Sequence, residues 1–158
     1  MRPFLAACAL VAGLTANPAA AQQRTQPTPT NAQALVDGFV RTHAGLAALE
    51  LAVTGERGCR TVAATAREDV GERCDEDELG PIRTGRPDIE EPTAADPVYD
   101  ITQALHDADG RLIGAAGMDL RPDSASTRES MLAQAQELLR ELERQIPSKA
   151  WLLQRREP

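Results

Sequence analysis

Aromatic side chains are nearly absent from this 158-residue chain: two Phe, one Tyr and one Trp make up 3% of it. Sugar sites set rings against the sugar's apolar face, and single-stranded nucleic acid stacks its bases on rings. Phe39, Tyr99 and Trp151, scattered through the sequence, build neither platform. Lysine occurs once, at Lys149, and acids outnumber bases 24 to 17 for a net charge of −7. Such a chain repels phosphate backbones, which excludes nucleic acid as a partner. Imidazoles for acid–base work are limited to His43 and His106, and no Gly-x-Ser-x-Gly, His-Glu-x-x-His or Walker pattern occurs. No enzymatic activity, cofactor or metal is expected.

Long hydrophobic runs are missing too. The apolar run Phe4 to Leu14 is too short to cross about 30 Å of hydrocarbon. It follows Arg2 and precedes Ala19-Ala20-Ala21, the arrangement of a secretory signal peptide over residues 1–21, cleaved after Ala21. A lipoprotein box at Leu5-Ala6-Ala7-Cys8 would leave only Met1 to Phe4 as an export signal and is set aside. The mature protein is therefore expected to be periplasmic or secreted, with no membrane insertion. Cys59 and Cys74 remain in it, and an oxidising compartment predicts a disulfide closing a loop of about 15 residues. They lack the C-x-x-C spacing of a redox pair, and neither histidine stands at metal-ligand spacing from them.

After a polar, proline-containing leader over residues 22–30, Thr30-Asn31-Ala32-Gln33 fits a capping box. Leu35, Val36, Phe39, Val40 and Leu46 then recur at helical spacing, predicting a helix from Asn31 to Ala47. Leu49 to Thr54 and Cys59 to Thr65 read as strands joined by Gly55-Glu56-Arg57-Gly58. Asp75 or Asp77 caps a short helix that stops at Gly85, and Pro87 to Glu91 reads as an edge strand. Tyr99 to Leu120 is a β-hairpin turning at Asp107-Ala108-Asp109-Gly110. If Asp107 pairs with Arg111, Leu105 faces Ile113, Gln103 faces Ala115 and Ile101 faces Gly117. Thr102, Ala104, His106, Leu112, Gly114, Ala116 and Met118 then share the other face, whose small residues either admit a close helix or floor a ligand cavity. Pro122-Asp123-Ser124 starts a last helix with an apolar stripe at Met131, Ala135, Leu138, Leu142 and Ile146, stopped by Pro147. The stripe suits docking on the chain's own sheet or on a second copy. The order predicts an α+β domain with one antiparallel sheet and helices on one side.

Three segments carry a family resemblance: Asp75-Glu76-Asp77-Glu78-Leu79 with Ile82-Arg83-Thr84-Gly85-Arg86-Pro87, Tyr99-Asp100-Ile101-Thr102 leading to Leu105-His106-Asp107, and Gly110-Arg111-Leu112-Ile113-Gly114-Ala115. Through them residues 31–151 resemble PAS-like Cache sensor domains, in particular freestanding exported single-Cache proteins, with a polar tail over residues 152–158. The resemblance implies a five-stranded antiparallel sheet with an N-terminal and a long C-terminal helix, and a small-molecule pocket on one face. The Arg followed by Trp and Tyr that marks amino-acid-binding Cache sensors is absent, and no second membrane segment or output domain is expected. Ligand contacts are expected at Tyr99, Thr102, Gln103, Met118 and Arg83, the arginine facing a carboxylate ligand. Occupancy would shift the sheet against the loop from Thr65 to Asp75 and be read by a membrane receptor or a second copy. The competing expectation is a structural or adaptor protein acting through the helix Ser124 to Ile146. The turn at Asp107 lacks the rest of a calcium loop, and Asp75-Glu76-Asp77-Glu78 reads as a solvated helix start rather than a cation site.

Overall fold

The structure, a computed structural model, describes residues 29–156; the expected signal peptide lies outside the described residues. Helix α1 runs Asn31–Thr42, with Thr30 accepting a hydrogen bond from the Gln33 backbone N–H. Gln33 does not close the expected box. Its amide instead reaches the edge of the sheet, donating to Ala64 O at 2.9 Å and accepting from Ala64 N at 3.3 Å. The helix ends five residues before Ala47, because His43 turns to extended backbone and Leu46 enters the first strand opposite Leu120.

Strands β1 (Leu46–Gly55), β2 (Gly58–Ala64), β3 (Asp88–Glu90), β4 (Tyr99–His106) and β5 (Leu112–Leu120) form one five-stranded sheet in the order β2-β1-β5-β4-β3, antiparallel throughout. Helix α2 (Glu76–Thr84) has a complete capping box between Asp75 and Glu78 and ends at Gly85, whose φ of 69° is the left-handed conformation glycine tolerates. Helix α3 spans Arg128–Glu143. It starts later than expected, since Asp123 and Ser126 close a turn of their own and Thr127 is the cap.

The β4–β5 turn forms as expected, with Asp107 N–H donating to Arg111 O and Gly110 at φ 79°. One residue beyond it, the register departs from expectation. A bulge between Leu105 and His106 sets Leu105 opposite Gly114, Gln103 opposite Ala116, Ile101 opposite Met118 and Thr102 opposite Gly117. Ile113 is the extra residue, and every later β5 side chain changes face relative to β4. Gly114 is obligatory here: a Cβ on it would lie 1.9 Å from Ala52 O.

The core fills the space between α1, α3 and one sheet face. Leu46, Leu49, Leu51, Ile101, Leu105, Met118 and Leu120 meet Val36, Phe39, Met131, Ala135 and Leu142, all nearly inaccessible. Each large aliphatic side chain buried this way contributes roughly 1.5–3 kcal/mol. The α3 stripe, Ile146 included, is spent inside the domain, so it presents no apolar face to an adaptor's partner. A fourth helix, α4 (Lys149–Leu153), was not expected; Leu152, assigned to a polar tail by sequence, is fully buried, and Asn31 N–H donates to Gln154 O.

Candidate functional site

The sheet face away from α1 and α3 carries acids. In one cross-strand row, Glu90, Asp100 and Asp119 stand directly opposite one another on β3, β4 and β5, with Ala48 of β1 beyond. The next row is Asp88, Thr102, Gly117 and Glu50. Like charges directly opposite on a sheet oppose folding by about 0.2–1 kcal/mol per pair, and here two such pairs are contiguous.

A cavity of about 280 Å³ opens over these rows. Its floor is Ala48, Glu50, Thr102, Gly117, Asp100 and Asp119, and its walls include Asp75, Asp77 and Glu78 from the start of α2 and Thr65, Ala66 and Asp69 from the connection after β2. That connection is held in place by pairing back on β2, with Thr61 N–H donating to Glu72 O and Gly71 N–H to Thr61 O. The expected disulfide is present, with Cys59 and Cys74 Cα atoms 5.3 Å apart. It ties the residue before the α2 cap to β2, so the wall bearing Asp69 and Asp75 is crosslinked to the sheet.

Seven carboxylates line this cavity and no Lys, Arg or His does. The protein's ion pairs lie elsewhere: Asp37 holds Arg67, Glu76 holds Arg83, Glu91 holds Arg128, Asp107 and Asp109 hold Arg111, and Glu141 and Glu143 meet the two histidines. Among the described residues, none of these pairs involves a cavity acid. Asp100 is accordingly pushed up to about 7, first by burial and then by Asp119, Glu90, Asp77 and Asp88. Burial also raises Glu50, against the Thr61 hydroxyl that donates to it at 2.5 Å, and raises Asp119, Asp77 and Glu78.

The sequence-derived site residues divide between the two faces. Thr102 is on the cavity floor. Tyr99, Gln103 and Met118 alternate with it and point to the helix-packed side, where Tyr99 and Met118 belong to the core; the bulge put Met118 there, opposite Ile101. Gln103 is 4% exposed with its Nε2 unpartnered. Arg83 is half exposed on α2, pairs with Glu76 and does not line the cavity, so no cation awaits a carboxylate ligand there. Sequence reasoning missed Glu50, Asp100 and Asp119, although each is the one acid of its strand. A larger hollow of about 450 Å³, open to solvent between α1 and Trp151, is bordered by Asn31 and Arg156, where the chain passes toward segments outside the described residues. It has no comparable concentration of unpaired groups.

No protein-family model matches the chain, and no curated protein matches it. Among solved structures, the inducer-binding domain of the PobR transcription factor from Acinetobacter, a double mutant complexed with 3-hydroxybenzoic acid, has a TM-score of 0.46 and 12% identity, covering 74% of this chain and 95% of that one. The repressor BlcR of Agobacterium tumefaciens has a TM-score of 0.46 and 13% identity, covering 79% of this chain and 68% of that one. Both likenesses are too distant to lend a ligand or a role to this chain.

Proposed function

We propose that this protein is an exported, PAS-like small-molecule-binding domain of the single-Cache kind, with no catalytic activity of its own, whose ligand occupies the cavity over β1, β5 and β4. The observation that carries this reading is the cavity's uncompensated charge. Folding gains nothing from setting the half-buried Asp100 and Asp119 directly opposite one another on neighbouring strands, and a sheet face shaped only for stability would pair them. Binding there would act by population shift: contacts to Asp69 and Asp75 on the crosslinked wall would favour one position of the residue 65–75 connection, whose outer surface a receptor or a second copy would read.

A thermal-unfolding screen against amines, amino acids, carboxylates, purines and divalent ions tests the reading. A ligand at about 100 times its Kd stabilises the fold by roughly 2.7 kcal/mol. The expected result is a shift from one chemical class that disappears in Thr102→Trp, whose indole fills the floor, while circular dichroism stays that of the parent. Silence from every class at millimolar concentration, or a shift that Thr102→Trp leaves intact, would remove the cavity as the site.

A further inference from the structure

Resting on that reading of the cavity, we propose that its ligand is an oligoamine: a flexible organic cation with two or more protonated nitrogens and no anionic group. The lining offers acceptors and almost no donors. Ionised carboxylates only accept hydrogen bonds, and the charged lining groups are all carboxylates: Glu50, Asp69, Asp75, Asp77, Glu78, Asp100 and Asp119. A ligand made of N–H donors meets a partner in every direction. A zwitterion, carboxylate or phosphate would bring a negative group to a wall without one cation.

A hydroxyl on the floor points the same way. Thr102 is 6% exposed, lines the cavity and takes no protein hydrogen-bond partner among the described residues. A Cβ built on Gly117 would sit 3.3 Å from its Oγ1, so the hydroxyl leans over the bare glycine floor. The side chain is more than nine-tenths buried, has no partner within the described protein and faces the cavity, so its oxygen is left for a ligand to meet. An ammonium N–H supplies the missing donor.

Size and shape separate an oligoamine from other cations. A metal ion needs oxygens converging on one point at about 2.0–2.6 Å. Among the described residues, the group of three acids whose oxygens approach within 4.8 Å of one another is Asp77, Asp88 and Glu90, at the α2–β3 rim; two of the three are exposed, and Asp88 and Glu90 lie outside the lining. Within the cavity the acids are instead spread over strands, α2 and the β2 connection, with roughly nine times the ~30 Å³ share of one water between them. A quaternary ammonium is disfavoured on different grounds, since it has no N–H to donate and the lining holds no aromatic ring to cradle it.

The decisive experiment is calorimetric titration of the disulfide-bonded protein with spermidine and putrescine in 150 mM salt at pH 8 and pH 6, with Mg²⁺, Ca²⁺ and Mn²⁺ titrated alone. The expected result is one site per chain, tighter for spermidine, weakened at least tenfold by Asp100→Asn and abolished by Thr102→Trp. Lowering the pH can only add protons to the amines, so weaker binding at pH 6 reports the protein's side. The groups concerned are Asp100 and those facing it: Asp119 of β5, Glu90 and Asp88 of β3, and Asp77 of α2. Asp100→Asn removes like-charge repulsion and is expected to keep the parent's circular dichroism and a thermal midpoint no lower than the parent's, a readout that separates loss of amine binding from unfolding. Binding of a neutral or anionic compound that Thr102→Trp blocks, with no amine binding, overturns the oligoamine and leaves the cavity reading standing. Divalent ions binding where amines do not, and blocked by Thr102→Trp, has the same meaning. Amine binding untouched by both variants, or no binding by anything, overturns both.

Discussion

The two faces of the sheet are built by the same strands and obey opposite rules. Toward α1 and α3, Leu49, Leu51, Ile101, Leu105, Met118 and Leu120 are all at or below 1% exposed and interlock with helix side chains. One residue along each strand, Glu50, Asp100, Thr102, Gly117 and Asp119 look into a cavity with no counter-charge. Alternation allows a face that maximises stability and a face that forgoes some of it to coexist in the 27 residues of β1, β4 and β5. The second face is the one on which the proposed site rests.

The largest effect that would sharpen this contrast comes from the apolar face. Leu120→Ala, at a fully buried position between Leu46 and Tyr99 on neighbouring strands, is expected to lower unfolding stability by about 2–5 kcal/mol in urea titrations. Next comes the crosslink: Cys59→Ser with Cys74→Ser should cost about 3 kcal/mol on the chain-entropy account and weaken amine binding as well, because the wall with Asp69 and Asp75 loses its tether. A crosslink whose removal lowers stability and leaves affinity unchanged would separate the wall from the site.

The acid face should respond with the opposite sign. Because Asp100 is raised from 3.8 to about 7 on folding, the native state binds that proton more tightly, and stability falls as pH rises across that interval. The empty protein is thus expected to unfold at higher temperature at pH 6 than at pH 8. Asp100→Asn should raise the pH 8 midpoint by about 2–5 °C and flatten this slope. A midpoint lowered by Asp100→Asn would mean that the carboxylate is compensated after all. The smallest effect is expected of Arg83→Ala, which removes an exposed pair with Glu76 and should change stability by less than about 0.5 kcal/mol and binding not at all.

Much of the fold was legible because its signals are local. Asp75 caps α2, Gly85 ends it, the Asp107–Gly110 turn forms, and the stripe from Met131 to Ile146 packs on the sheet. The face assignment was not, because one bulged residue at Ile113 depends on how closely Gly114 can approach Ala52, a contact between strands 62 positions apart. Met118 and the expectation of a pocket around Tyr99 and Gln103 went with it. The acid site was hidden for a related reason: Glu50, Asp100 and Asp119 are isolated in sequence and become a cluster only through strand pairing. A single acid in a strand was the available signal, within apolar or small residues on β1 and β5 and in a more polar setting on β4.

The most direct measurement is the carboxyl-carbon NMR titration of Asp100 with and without saturating spermidine. The account predicts a midpoint of about 7 in the empty protein, falling by at least one pH unit when the amine is bound. A midpoint at the ordinary aspartate value, unmoved by the amine, would contradict it.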